Sequence, residues 1–256
     1  MNRALIGYTG FVGSTLARAR SYESVYNSKN IEEIAGRSFD TIVCAGASAA
    51  KWRANQDPAA DAAEIHRLML NLDRVTSRRF VLISTIDVYR NPVNVDESDM
   101  PTHDGLQAYG KHRLMLEDYV RTRFADSIVV RLPGLFGFGL RKNLIFDFLH
   151  QNQTEQIKPN GRLQWYPMIR FPRDLETILE SGVKLINIAV EPVRTEEIRK
   201  RFFSKVAIDE RASTGPQYDM RTNLASLLGG KGKYHLDSEQ ILAELASFID
   251  SQRVVP

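Results

Sequence analysis

The sequence has little cysteine, no patterned histidine and no long apolar run. Cys44 is the only cysteine among 256 residues, so an internal disulfide is excluded, and its place in the run TIVCAG predicts a buried structural thiol. The five histidines lack the spacing of metal ligands, and we predict no metal site. No apolar stretch is long enough to cross a bilayer. These absences favour a cytoplasmic protein that makes no membrane contact.

Strong charge of one sign is also lacking. The 34 basic and 31 acidic residues leave a net charge of +3, and the lysines and arginines are scattered along the chain. A nucleic-acid partner is therefore not expected. The hydrophobic content of 43% is enough for one large α/β domain, or for one domain with a small appendage.

The first residues contain a glycine-punctuated turn between a strand and a helix. The apolar residues 4–6 lead into Gly7, Gly10 and Gly13, and an apolar helical face follows at Phe11 and Val12. Glycines permit a sharp turn and let a phosphate approach the backbone closely, while a helix start offers N–H groups to an anion. The pattern indicates a dinucleotide phosphate site, with ordinary turn chemistry as the alternative.

Strands and helices alternate over the first half of the chain, which predicts a parallel sheet. Between the second strand, which ends at Asn27, and the third strand, FDTIVCAGAS, there is room only for a short helix over residues 30–36. A complete doubly wound half needs another strand and crossover in this space. We therefore predict that one strand unit is missing at this edge.

Two segments of the first half are candidate cofactor contacts. NAD-binding folds place an acid at the end of the second strand, where this chain has Asn27, Ser28 and Lys29. This neutral and basic set favours NADP over NAD, although simple polar turn residues are an equal alternative. In the predicted loop AGASAAKWRANQDP, Lys51 is a candidate phosphate contact and Trp52 a candidate pocket wall; alternatively, Lys51 is solvated and Trp52 fills the core.

The residues with the clearest chemical potential follow the strand RRFVLIST. Thr85 and Asp87 lie at the end of this strand, and Tyr109 opens a long amphipathic helix. Tyr109 and Arg113 are four residues apart and share a helix face. A nearby cation stabilises a phenolate, so this pair is suited to moving a proton, although simple packing is the alternative.

Three signals in one order carry a resemblance: GYTGFVG, STIDVY and Tyr109 at a helix start. The chain resembles the extended short-chain dehydrogenase/reductase family of nucleotide-sugar epimerases, dehydratases and reductases. The segments IVVRLPGLFGFGLRKNLI and VKLINIAVEPVRTEEI extend the resemblance to about residue 200. It implies an α/β fold with a Rossmann-type doubly wound parallel sheet, in which residues 1–150 bind NAD(P) and residues 151–256 form a substrate-binding region partly interleaved with the sheet.

The resemblance implies roles for individual residues. At the cofactor pyrophosphate it implies Gly7, Gly10 and Gly13, together with the N–H groups of Phe11 and Val12. Near the adenosine-side ribose and phosphate it implies Ala45 and Gly46. At the nicotinamide it implies Pro133 and Gly134. For catalysis it implies Thr85, Tyr109 and the dehydratase-like Asp87. Asn143 and Leu144 match a substrate diphosphate site, and Arg162 and Gln164 are further substrate candidates in a segment broken by prolines.

The chain departs from the family at Arg113, which stands where the pattern Tyr-x-x-x-Lys has lysine. Arginine keeps the charge but differs in reach and hydrogen bonding. The implied function is NAD(P)-dependent epimerisation, dehydration or reduction of a nucleotide-linked sugar, with Tyr109 as general acid or base assisted by Thr85 and Arg113. The alternative, favoured by Arg113, is a non-catalytic NAD(P)-binding sensor or scaffold. The resemblance also suggests a homodimer formed through the helices that begin near Asp57 and Tyr109.

Overall fold

The computed structural model describes residues 2–208 and 214–253. In chain order, its strands are β1 (Arg3–Ile6), β2 (Ser24–Tyr26), β3 (Ser38–Cys44), β4 (Thr76–Thr85), β5 (Val93–Val95), β6 (Ser127–Leu132), β7 (Gly134–Phe136), β8 (Arg162–Leu163), β9 (Trp165–Pro167), β10 (Leu185–Asn187), β11 (Val193–Arg194) and β12 (Asp219–Met220). Its α-helices are α1 (Phe11–Ala19), α2 (Lys51–Gln56), α3 (Pro58–Leu72), α4 (Ala108–Arg123), α5 (Leu144–His150), α6 (Phe171–Ser181), α7 (Thr195–Phe202) and α8 (Ser238–Arg253).

The chain divides into two compact units, and the division is not a single cut. Unit 1 comprises Met1–Arg90, Glu97–Leu132 and Phe171–Asn187. Unit 2 comprises Asn91–Asp96, Pro133–Arg170 and Ile188–Pro256. Residues 171–187 thus return to unit 1, where they supply α6 and the last strand of its sheet.

Unit 1 contains a six-stranded parallel sheet in the order β10-β6-β4-β3-β1-β2. The strand order reverses between β1 and β3, which makes the carboxyl ends of these strands the topological switch point of the sheet. This arrangement confirms the predicted Rossmann-type fold. In the described part of the chain no strand lies beyond β2, so the prediction of a missing edge unit is also confirmed.

The core of unit 1 is formed by the apolar runs that predicted the central strands. Ile42, Phe80 and Val129 are inaccessible to solvent, as expected for parallel strands covered on both faces. The rings of Phe80 and Phe124 stack with centroids 4.2 Å apart. Cys44 is also inaccessible, which confirms its predicted burial, and burial raises the pKa of its thiol to about 11.

Local sequence signals explain how α3 begins and why α2 precedes it. The Asp57 side chain accepts a hydrogen bond from the Ala60 N–H (3.0 Å), and Pro58 occupies the first turn of α3.

The segment AGASAAKWRANQDP, predicted as a loop, instead contains α2, because lysine, arginine, alanine and glutamine are good helix formers. Trp52 on this helix is 68% exposed, so the alternative that it fills the core is wrong.

Unit 2 is built from short ladders and helices. β5 pairs with β12 and β7 with β9 in parallel, whereas β8 pairs antiparallel with β11. The β7–β9 ladder requires close packing at Gly134, where a Cβ would lie 2.7 Å from the Gln164 carbonyl oxygen. Across both units, none of the helices in residues 2–208 and 214–253 has the length and apolar character needed to span a membrane.

Candidate functional site

The glycine turn is held by backbone contacts from two neighbouring strands. The Gly7 N–H donates to the Tyr26 carbonyl (2.7 Å), and the Ala45 N–H donates to the Ile6 carbonyl (2.8 Å). Gly7 has φ +87°, and a Cβ there would lie 2.2 Å from the Ala45 carbonyl oxygen. Glycine is therefore required at this position both for its backbone conformation and for the close approach of the β3 end.

The turn leaves open space at its tip. Gly10 is exposed, and a Cβ there would meet only the Gly7 carbonyl oxygen, at 3.4 Å. The first helical hydrogen bond of α1 runs from the Ser14 N–H to the Gly10 carbonyl (2.8 Å), so the N–H groups of Phe11, Val12 and Gly13 have no acceptor within the helix. With no acidic residue in this first turn, the turn fits the pyrophosphate of a dinucleotide.

A small hydrogen-bonded loop follows β2. The Asn27 N–H donates to the Asn30 side chain (2.7 Å), and the Asn27 side chain accepts from the Lys29 N–H (2.8 Å). Arg67 of α3 donates to the Ser28 carbonyl (2.8 Å). Arg67 thus adds a second cation to the loop that already carries Lys29. Sequence reasoning missed it because it lies 39 residues from Ser28.

Tyr109 lies against the end of β4. A Cβ at the neighbouring Gly110 would lie 2.0 Å from the Asp87 carbonyl oxygen, so only glycine allows α4 to approach this backbone. The Tyr109 N–H donates to the Asn55 side chain (3.0 Å), and the Thr85 hydroxyl is near enough to the phenol to lower its pKa. The structure therefore brings together Thr85, Asp87 and Tyr109, as predicted from the motifs.

Arg113 is fixed beside the Tyr109 ring by a buried carboxylate. Its guanidinium lies over the ring, 4.2 Å from the centroid, and donates to the Asp61 carboxylate and to the Ser48 carbonyl (2.5 Å). The two ion-paired side chains are 4% and 6% exposed. The predicted shared face of Tyr109 and Arg113 is thus present, but the charge of Arg113 is balanced by a residue that the sequence did not single out.

Asp61 also contacts a second group of α4. His112 Nδ1 lies 2.7 Å from the same carboxylate. Burial opposes the charge of Asp61, but the hydrogen bonds from Arg113 and His112 outweigh it and hold the pKa of this carboxyl below its usual value. Asp61 therefore joins α3 to α4 as a charged residue at neutral pH.

A second ion pair involves Asp87, whose backbone packs against Gly110. The Lys51 ammonium is 2.7 Å from the Asp87 carboxylate, and the two side chains are 41% and 18% exposed. The structure thus pairs Lys51, predicted as a cofactor phosphate contact, with a candidate catalytic carboxylate. Sequence reasoning missed this pairing because 36 residues separate the partners.

Opposing influences act on the Tyr109 phenol, which is only 8% exposed. Burial raises its pKa, and the negative charge of Asp87 adds to this effect. Arg113, the Thr85 hydroxyl and the charge of Lys51 lower it, but the net direction is upward. Tyr109 is thus protonated in this structure at neutral pH, as a proton donor must be.

The remaining predicted site residues lie in unit 2. The Asn143 side chain caps α5 by accepting from the N–H groups of Ile145 (3.0 Å) and Phe146 (3.1 Å), and it donates to the Leu135 carbonyl (2.8 Å). The prediction of a helix start at Asn143 and Leu144 is correct, but the cap takes the N–H groups that an anion would use.

Gln164 is almost completely buried, and hydrogen bonds within unit 2 account for its amide group. It donates to the carbonyls of Val190 (2.6 Å) and Met220 (2.7 Å) and accepts from the Met220 N–H (2.8 Å).

Arg162 is exposed, Pro133 is buried and Gly134 is partly buried. Of the predicted substrate residues, Arg162 thus offers the most accessible charged group.

The sequence matches no protein-family model and no curated protein. The fold, however, closely resembles several solved structures. The UDP-glucose 4-epimerase of Thermotoga maritima, solved with UDP-glucose, has a TM-score of 0.74 at 14% identity and covers 99% of both chains. The Bordetella bronchiseptica enzyme WbmG, in complex with NAD and UDP, has a TM-score of 0.75 at 15% identity, covering 98% of this chain and 94% of its own.

A third similar structure is a reductase. The dTDP-4-dehydrorhamnose reductase of Bacillus anthracis, in complex with NADP, has a TM-score of 0.71 at 16% identity, covering 98% of this chain and 99% of its own. At such low identity these likenesses establish the fold. The chain thus has the fold of the nucleotide-sugar epimerases and reductases, as its motifs predicted.

Proposed function

We propose that this protein belongs to the extended short-chain dehydrogenase/reductase family and catalyses the NAD(P)-dependent epimerisation, dehydration or reduction of a nucleotide-linked sugar. One observation carries the proposal: close packing of Gly110 on the Asp87 backbone sets Tyr109 beside Thr85 at the carboxyl end of β4, on the sheet edge that also carries the open glycine turn. The ligands of the similar structures, UDP-glucose, UDP, NAD and NADP, support the same class of substrate and cofactor.

In this proposal the residues around Tyr109 move and direct one proton. Tyr109 gives its phenolic proton to a substrate oxygen or takes one from it, and the Thr85 hydroxyl polarises the same oxygen. Asp87 matches an acidic position of the family's dehydratases, and in this proposal it helps to move a proton on or off a sugar carbon. The bound nicotinamide supplies hydride chemistry. The N–H groups at the start of α1 and the open space at Gly10 hold the pyrophosphate.

We further propose a preference for NADP. Lys29 and Arg67 place two cations at the loop after β2, where an acid would favour the free ribose of NAD. For the substrate, Arg162 is our leading diphosphate contact. Pro133, Gly134, Asn143 and Leu144 remain predictions from the resemblance, whereas Gln164 is left out because its amide is hydrogen-bonded within unit 2.

A second candidate function is a non-catalytic NAD(P) sensor. It is favoured by the ion pair between Arg113 and Asp61, because this carboxylate balances the cation that was expected to activate Tyr109. In a sensor, the cofactor would bind the glycine turn without any turnover of sugar.

Cofactor binding is the first test. Titrating the purified protein with NADPH and NADH, followed by nicotinamide fluorescence, should give binding of both with tighter binding of NADPH. The Lys29→Ala and Arg67→Ala variants should each reduce that preference. If neither cofactor binds, the hydride-transfer proposal fails; if NADH binds more tightly, only the NADP preference fails.

Turnover then separates the enzyme from the sensor. Nucleotide sugars are screened with the wild type, with Tyr109→Phe and with Tyr119→Phe as a control on the same helix. The enzyme proposal expects turnover that Tyr109→Phe reduces by about 10²-fold or more and that Tyr119→Phe leaves unchanged. Cofactor binding without turnover of any nucleotide sugar would favour the sensor.

A further inference from the structure

The helix that carries Tyr109 has no cap of its own. Gln107 occupies the N-cap position of α4 without a side-chain hydrogen bond to the helix, and the first turn contains no acidic residue. The first helical hydrogen bond runs from the Lys111 N–H to the Gln107 carbonyl (2.9 Å), so the N–H groups of residues 108–110 have no acceptor within the helix. Any protein acceptor for these groups must come from another segment of the chain.

Asn55 of α2 supplies such an acceptor at Tyr109 itself. Its side-chain oxygen accepts from the Tyr109 N–H (3.0 Å), and its side-chain nitrogen donates to the Gln107 side chain (2.8 Å). Because a backbone N–H can only donate, the first contact fixes the oxygen end of the Asn55 amide, and the Gln107 oxygen matches the other end. A side chain 54 residues away thus caps the first turn of α4.

The backbone carbonyl of Tyr109 is held as well. Arg113 Nη1 donates to it (3.4 Å), and the same guanidinium is fixed by Asp61 of α3 and by the Ser48 carbonyl. Only one residue separates α2 from α3. The corner formed by these two helices therefore holds the Tyr109 backbone from both sides, directly through Asn55 and indirectly through Asp61.

The face of α2 that holds Tyr109 also contacts Asp87. Lys51 lies four residues before Asn55, so the two side chains share one face of the helix, and the Lys51 ammonium is 2.7 Å from the Asp87 carboxylate. Contacts from α2 thus reach two predicted catalytic residues. The contact from Asn55 is made by a neutral amide to the backbone, so it acts on where Tyr109 lies and adds no charge beside the phenol.

We propose that Asn55 is a positioning residue, which caps α4 from α2 and thereby sets the place of Tyr109 relative to Thr85. This inference rests on the proposed function, because it assigns the side chain that holds the tyrosine of the same site. A proton donor is effective only within hydrogen-bond reach of the substrate oxygen, and a misplacement of about 1 Å can slow a reaction about 10²-fold. Loosening the first turn of α4 should therefore slow the chemical step.

The first measurement is the exchange of the Tyr109 amide hydrogen, which requires no substrate. The protein is labelled with ¹⁵N-tyrosine, exchange is followed by NMR, and the Tyr109→Phe variant identifies the Tyr109 signal. Asn55→Leu keeps the approximate size of the side chain without an acceptor, so it should speed exchange at Tyr109 by about 10-fold. Asn55→Asp keeps an acceptor and should restore slow exchange. The amide of Tyr119, which lies within the same helix, should not change in either variant.

The second measurement is turnover of a nucleotide sugar at saturating cofactor. Asn55→Leu should lower kcat by about 10-fold or more and change KM much less, because the lost hydrogen bond acts on the placement of Tyr109 and not on substrate binding. Asn55→Asp should recover most of the lost rate. The matched control is Gln56→Ala at the neighbouring exposed position of α2, which should leave both amide exchange and kcat unchanged.

Two results on amide exchange would overturn the inference. One is exchange at Tyr109 that is no faster in Asn55→Leu than in Gln56→Ala, because the hydrogen bond then contributes nothing at this position. The other is an equal increase at Tyr119, because Asn55 would then stabilise the whole helix and not the place of Tyr109.

Turnover separates failure of this inference from failure of the proposed function. If the wild type turns over a nucleotide sugar and Asn55→Leu does so with the same kcat, only the role of Asn55 is refuted. If exchange speeds up at Tyr109 alone but no variant, the wild type included, turns over any nucleotide sugar, the enzyme proposal is refuted and the capping of α4 by Asn55 is supported.

Discussion

The two ion pairs beside Tyr109 differ in how firmly the protein holds them. Arg113 and Asp61 are 4% and 6% exposed and have further partners in Ser48 and His112, whereas Lys51 and Asp87 are 41% and 18% exposed. A buried pair is costly to break, because either partner alone is left as an uncompensated charge. An exposed pair contributes little to stability. The comparison predicts that breaking the first pair costs more stability than breaking the second.

The largest expected effect comes from breaking the buried pair. Asp61→Ala should lower the free energy of unfolding by about 3–5 kcal/mol, because the Arg113 charge loses its partner in a buried site. Lys51→Met should lower it by at most about 1 kcal/mol. Urea denaturation of both variants measures the difference. Equal losses would contradict this difference between the two pairs.

The next effect tests the close packing of α4 on the Asp87 backbone, beside Tyr109. Gly110→Ala should cost about 1–3 kcal/mol, because the added Cβ overlaps the Asp87 carbonyl and must push α4 away. Lys111→Ala, on the exposed face of the same helix, is the control and should change stability by less than about 0.5 kcal/mol. An equally stable Gly110→Ala variant would show that α4 adjusts at no cost.

A smaller effect is expected from Arg113→Lys. Lysine keeps the charge but cannot reach Asp61 and the Ser48 carbonyl together, so the loss should be about 1–2 kcal/mol. Urea denaturation measures this loss. Unchanged or increased stability would show that the contacts of Arg113 with Asp61 and the Ser48 carbonyl are not what holds α3 and α4 together.

The smallest effect is the acid dependence of stability. Because the pKa of Asp61 is lowered in the folded state, its contribution is present above the ordinary aspartate value of about 3.9 and is lost as the pH falls through the folded value. Urea midpoints measured between pH 5 and pH 2 should therefore fall less steeply for Asp61→Asn than for the wild type. Parallel curves for the two proteins would contradict a charged, hydrogen-bonded Asp61.

The sequence predicted the features that depend on local pattern. The strand runs around Cys44 and Phe80, the cap at Asp57 and the shared face of Tyr109 and Arg113 all follow from residues close together in the chain. The missing edge unit followed from the limited length between the second and third strands. In each case backbone geometry leaves few alternatives once the periodicity is known.

The ion-pair partners could not be predicted, because they come from distant segments. Asp61 is 52 residues from Arg113 and Asp87 is 36 residues from Lys51, and no periodicity links them. Gln164 was misleading for a different reason, since a polar side chain in a proline-broken segment resembles a ligand contact when its burial is unknown. Its three hydrogen bonds to Val190 and Met220 became evident only from the fold.

The short edge at β2 shows how this fold tolerates the loss of an outer strand and its crossover. In a parallel sheet each strand pairs only with its immediate neighbours, so removing the outermost strand and its crossover breaks one interface and leaves the switch point between β1 and β3 intact. The remaining edge is three residues long, which gives another chain little backbone to pair with. Shortening at this border therefore changes the size of the domain without exposing a long edge to aggregation.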